Sequence, residues 1–192
     1  MNIDKIWKES DWPKQARQII NGLKMFPEDS KIILILRHSQ RDEPQELEKL
    51  LTLRLTPEGH AIARKFGEKL PINRTIRLFH SVVWRCQETA ENILSGFEDV
   101  GGKGKMRGGF TPLFDLETSR DFFPDQLKKY SAYQFFFRWV AGLYPPNLII
   151  PLTKFSQKAA ELILREFKKA PDKNIDIVEK RDDDKKNNAK TY

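Results

Sequence analysis

Arginine beside histidine is the first arrangement in this 192-residue chain able to do chemistry: Arg37-His38, with Arg41 three positions further on. Arginine keeps its proton, and its planar fork pairs two-pronged with phosphoryl oxygens. A neutral imidazole is nucleophilic near physiological pH. These types together suit a pocket that neutralises an oxyanion and then attacks it. Ser81-Val-Val-Trp-Arg-Cys-Gln-Glu-Thr-Ala90 supplies another cation, Arg85. A lone histidine at a strand end is more often a packed or exposed bystander, and a lone helix arginine a surface charge. The conjunction of the two segments favours a pocket.

The elements around these residues place them well. Lys31-Ile-Ile-Leu-Ile-Leu-Arg37 is a short, continuous apolar run rich in β-branched residues. It reads as a strand buried on both faces, central in a parallel sheet, with His38 just past its carboxyl end. Ligands bind there in open α/β sheets. Residues 39–55 read as a loop. Thr56-Pro57-Glu58-Gly59 opens a helix, with Thr56 as N-cap and Pro57 at the first helical position. Ala61, Ile62, Phe66 and Leu70 give it an apolar face, and Pro71 ends it. Ile76–His80 reads as a second strand. A helix from Trp84 to Leu94 follows, stopping near Gly96 and placing Arg85 at a strand-to-helix turn. This β-α-β-α order predicts a three-layer α/β/α sandwich with a mainly parallel central sheet.

Elsewhere, Trp12, Ala16, Ile19, Ile20 and Leu23 predict an amphipathic helix over 11–25, with Asn21-Gly22 near its end. Gly101–Gly109 reads as a flexible surface loop, because it lacks the spacing and following Lys-Ser/Thr of a glycine-rich phosphate loop. The aromatic-rich stretch within 124–143 and Phe155–Phe167 read as helices, and Asn174–Val178 as a strand. Residues 1–178 are expected to form one domain, with 179–192 a polar, disordered tail.

The chain has 34 Lys and Arg against 27 Asp and Glu, a formal net charge of +7. That balance suits anionic partners. Its lysines are scattered, and without aromatic-basic interleaving no nucleic-acid groove is expected. No apolar run reaches the roughly 20 residues needed to span a bilayer, so no membrane partner is expected. The N-terminus lacks the apolar core of a secretory signal. The single cysteine, Cys86, cannot form an intramolecular disulfide, which makes the cytoplasm the simplest expectation. Cys86 falls in a helix's first turn, where a thiol can acidify, but burial against the sheet is the plainer expectation. His60, on a helix, is expected to face solvent.

Three segments, in order, resemble the histidine phosphatase superfamily, which includes phosphoglycerate mutases and acid phosphatases. Leu36-Arg37-His38-Ser39-Gln40-Arg41 resembles its R-H-G-x-R motif, with Ser39 in the glycine position. Leu55-Thr56-Pro57-Glu58-Gly59, with Ala63 and Gly67, is similar to its L-T-x-x-G-x-x-x-A. Ser81 to Ala90 is close to its S-x-x-x-R-x-x-x-T-A. The resemblance implies that Arg37, Arg41 and Arg85 hold phosphate while His38 attacks phosphorus and is transiently phosphorylated. It implies a carboxylic acid for the leaving oxygen, with Glu117 the candidate and Asp115 the reserve. Arginines supply the positive charge, so neither metal nor other cofactor is implied.

The family also carries a late histidine, commonly in an S-H-D/E context, whereas the histidines here are His38, His60 and His80. The resemblance therefore implies a C-terminal part that has diverged or been cut short. His80, on the same sheet edge as His38, and Arg181 are the candidates to substitute. The first expectation is metal-independent hydrolysis of phosphomonoesters, small-molecule or phosphopeptide, through phosphohistidine at His38; departures from the mutase pattern favour phosphatase over mutase. The alternatives are a non-catalytic phosphate-binding pseudo-phosphatase and a basic scaffold for polyanions. Specificity is expected to reside in 42–54 and 101–145.

Overall fold

The computed structural model describes residues 1–42, 52–81, 83–109, 129–130, 134, 137–138, 141–144, 157 and 160–179. Two short helices, α1 (Ile3–Glu9) and α2 (Lys14–Leu23), lead into strand β1 (Ile32–Leu36). Helix α3 (Pro57–Lys69), strand β2 (Thr75–His80), helix α4 (Trp84–Asp99) and strand β3 (Lys103–Gly109) follow. After a helical stretch over 160–168 comes the last described strand, β4 (Asn174–Glu179). The four strands are all parallel, in the order β1-β4-β2-β3.

Alternation along the strands divides the sheet into two faces. Ile32, Leu34 and Leu36 of β1, Ile76 and Leu78 of β2, and Ile175 and Ile177 of β4 share one face. They pack with Ile62, Ala63 and Phe66 of α3 and Ala90, Ile93 and Phe97 of α4, while Trp7 and Leu23 extend this core to α1 and α2. On the other face Arg77 forms a two-pronged pair with Asp176, Nε–Oδ1 at 2.7 Å and Nη2–Oδ2 at 2.6 Å. Its Nη2 also donates to the carbonyl of Glu166, which seats the 160–168 helix there. The chain is thus an α/β protein with helices on both faces of a parallel sheet, as its segment order implied.

Helices α3 and α4 cross with their backbones in contact. A Cβ on Gly67 would lie 2.1 Å from the Ile93 carbonyl oxygen, and one on Gly96 would lie 2.0 Å from that of Arg64. Gly96 therefore does not stop α4; it sits inside a helix that runs to Asp99, where lack of a side chain permits the crossing. Three further expectations are corrected. Residues 103–109 are strand rather than loop, since β3 pairs along β2; Gly102 lies under the Phe97 ring and Gly104 under Leu94 and Ile76. β1 lies at the edge of the four described strands, with Ile35 57% exposed, because β4 inserts between β1 and β2. The first helix of the 11–25 region begins at Lys14, and Trp12 is exposed.

Candidate functional site

Parallel pairing sets Leu36 level with Glu179, and Phe79 level with Val178, so β1, β4 and β2 end at one sheet edge. The residues that follow β1 and β2, His38 and Arg85 among them, are delivered there. Their immediate supports come from α3 and α4.

The loop after β1 is held by the start of α3. Thr56 caps that helix, its Oγ1 accepting from the Gly59 amide at 3.0 Å. Its own amide donates to the Gln40 carbonyl at 3.1 Å, and its hydroxyl donates to the Gln40 side-chain oxygen at 3.1 Å. A Cβ on Gly59 would lie 2.1 Å from the Gln40 carbonyl oxygen, so only glycine lets loop and helix approach this closely. Ser39, in the family's glycine position, fits by donating from Oγ to the Gly59 carbonyl at 2.8 Å. An isolated antiparallel bridge joins Arg41 to Leu55. The second sequence segment is thus a clamp on the first.

Helix α4 completes the frame. Arg85 is fully buried, and Thr89, one turn on, donates to the Arg85 carbonyl at 2.7 Å. The Thr89 Oγ1 also accepts from the Ser39 amide at 2.9 Å, fastening the turn that carries Arg85 to the loop that carries His38. Their i, i+4 spacing was the signal for a shared face. Ser81 is buried and accepts from the Val83 amide at 3.4 Å, shaping the turn into the helix.

His38 is 5% exposed. Its Nδ1 lies 2.7 Å from the Ser39 carbonyl oxygen. A carbonyl only accepts, so Nδ1 carries the proton and donates, which leaves the lone pair on Nε2. Nε2 is buried and has no hydrogen-bond partner among the described residues. Burial pushes the His38 pKa down to about 4; the Ser39 hydrogen bond opposes that, and Arg85, Arg37 and Arg41 add to it by repulsion, in that order. All three arginines are therefore near enough to act on the imidazole, which stays neutral at physiological pH. Arg85 is the buried one, Arg41 is half-buried, and Arg37 is exposed at the sheet edge.

Among the other candidates, His80 ends β2 half-buried, its Nδ1 donating to the Ser81 carbonyl at 2.8 Å. His60 is not simply solvent-facing: it is half-buried, and its Nδ1 accepts from the Asn92 amide at 2.9 Å. Cys86 is fully buried, as expected. Glu117, Asp115 and Arg181 lie outside the described residues, as do most of the aromatic-rich stretch and the polar tail beyond Glu179. Among the described residues no helix is long and apolar enough to cross a membrane, and no group of three or more His, Cys, Asp or Glu side chains could hold a metal ion.

The segment that builds this edge is also the one that matches a known family. Residues 33–100 match the family model of the histidine phosphatase superfamily (branch 1). Over this segment, about a third of the chain, the protein is similar to that superfamily, and the similarity supports phosphatase- or mutase-type function in the broad sense. Neither a curated protein nor a solved structure matches the chain.

Proposed function

We propose that this protein hydrolyses phosphomonoesters, of small molecules or phosphopeptides, through a covalent phosphohistidine at His38. The observation that carries this reading is the state of His38: buried, neutral, with Nδ1–H committed to a carbonyl and the Nε2 lone pair uncommitted. Nε2 forms the N–P bond as the ester P–O bond breaks. The leaving oxygen takes the bonding electrons and a proton from a carboxylic acid, for which Glu117 is the candidate. The phosphorylated ring becomes cationic, and its Nδ1–H bond to Ser39 strengthens as it does so. Water then attacks phosphorus while giving a proton back to that carboxylate, the N–P bond breaks with its electrons returning to Nε2, and neutral imidazole and the carboxylic acid are restored. Arg85, Arg41 and Arg37 neutralise the phosphoryl oxygens throughout, a role that calls for no metal. His80 or Arg181 takes the place of the late histidine as a further phosphate ligand.

A second reading, a phosphate-binding module without turnover, is favoured by the three arginines that act on the His38 imidazole, which suit an anion whether or not it reacts. The two separate in one experiment. Release of phosphate from an aryl phosphate, unaffected by chelator and abolished in His38→Ala, supports hydrolysis; turnover unchanged in that variant refutes it. Without turnover, a rise in Tm with vanadate that disappears in Arg85→Ala supports the binding module.

A further inference from the structure

Beside the two segments that form the pocket stands a pair of side chains to which the phosphatase reading gives no role. Trp84 begins α4, directly before the buried Arg85, yet is itself 54% exposed. The guanidinium of Arg54 lies over its indole, 4.4 Å from the ring centroid. Arg54 is fixed there by Glu88, one helical turn beyond Trp84, at 3.0 Å. The second carboxylate oxygen of Glu88 accepts from the Leu55 amide at 3.0 Å, and Leu55 is the residue bridged to Arg41.

An exposed tryptophan generally forfeits the stabilisation that burying so large a side chain brings. Here it is instead held in a defined pose by a stacked cation, itself anchored by a carboxylate that is mostly buried. The pair sits between the chain neighbours of two pocket arginines, Arg41 through Leu55 and Arg85 through the peptide bond. An indole face backed by a guanidinium suits a planar π system, which stacks on the ring while the pocket grips an attached phosphate.

We propose that Trp84 and Arg54 form the leaving-group subsite and select phosphomonoesters of planar aromatic groups. This rests on the phosphatase reading, since it presumes that the phosphate occupies the His38 pocket. Trp84 acts as a specificity-determining residue, with Arg54 and Glu88 positioning it.

The test compares phenyl phosphate and a nucleoside monophosphate with glycerol phosphate, in wild type, Trp84→Ala and Trp84→Phe. In Trp84→Ala the ratio of kcat/KM for an aromatic ester to that for glycerol phosphate falls by about tenfold, carried by KM. Trp84→Phe, which restores a ring, recovers most of the preference. The responding ester distinguishes a ring one bond from the ester oxygen from one beyond a ribose. Binding is read apart from turnover: phenyl phosphate quenches indole fluorescence in wild type beyond the effect of inorganic phosphate, and this excess is lost in Trp84→Phe. An unchanged preference in Trp84→Ala overturns the subsite. If phosphate and vanadate raise the wild-type Tm but aromatic esters bind no better than glycerol phosphate, the pocket stands and the subsite falls. If phosphate and vanadate have no effect on Tm, both fall.

Discussion

Two glycine-to-alanine substitutions with opposite expected signs test how the His38 loop is held. At Gly59, the new Cβ would lie 2.1 Å from the Gln40 carbonyl oxygen, 3.0 Å from its carbon and 3.2 Å from its nitrogen. All three are backbone atoms, so no side chain can rotate to relieve the contact. Restoring ordinary separation requires loop and helix to part by about 1 Å or more. That movement breaks or stretches the two bonds from Thr56 to Gln40, worth about 1 kcal/mol each. Overpacking strain of about 1–3 kcal/mol adds to them. The expected loss is about 3–5 kcal/mol, a fall in Tm of roughly 6–20 °C for a chain of this size. At Gly22, inside α2, an added Cβ meets nothing within 4 Å, and alanine there is expected to stabilise by about 0.5–1 kcal/mol. Thermal unfolding of the two variants gives the comparison, and vanadate titration of Gly59→Ala reads the pocket. Gly59 feeds His38 through Ser39 and Gln40, so vanadate stabilisation falls along with Tm. Equal Tm values for the two variants, or undiminished vanadate stabilisation in Gly59→Ala, would refute the clamp.

Two further expectations concern charge. His38 has its pKa pushed down to about 4 from an ordinary 6.5, so between these values the unfolded chain holds a proton that the folded chain does not. Stability therefore rises with pH from about 4 to 6.5 and is lost on acidification, an effect of about 3 kcal/mol; denaturant titrations across this window show the slope, and His38→Asn flattens it, whereas an unaltered slope in that variant contradicts the assignment. On the opposite sheet face, Asp176→Ala leaves the buried Arg77 without its carboxylate and costs about 3–5 kcal/mol, while the double change to Arg77→Met with Asp176→Leu recovers most of it; a double variant as unstable as the single one contradicts the pairing account.

Much of the candidate site was legible because its signals are local. Thr56 and Pro57 announce the α3 start through capping and a fixed φ, and the apolar run before Arg37 announces β1. Which strands lie side by side is not local. β4, nearly 140 residues after β1, enters the sheet between β1 and β2, and nothing in Lys31–Arg37 distinguishes an edge position from a central one. β3 was hidden because Lys103–Gly109 lacks apolar alternation; its glycines record the pressure of Phe97 and Leu94 from α4 instead. Gly96 misled for a related reason, since a helix-ending residue and a helix-crossing residue are both glycine. The roles of Thr89, Glu88 and Trp84 depend on contacts with residues 30 to 50 positions away, and only the i, i+4 pairings on α4 hinted at them.

Catalysis as proposed requires that His38 Nε2 become covalently phosphorylated. Rapid quenching of the protein with a phosphorus-labelled aryl phosphate, followed by mapping of the label, tests it directly. The expected label is labile in acid, stable in alkali, located on His38 and absent from His38→Ala, and it forms at least as fast as the ester turns over. Steady turnover with no label on His38, or a label that persists in His38→Ala, would contradict it.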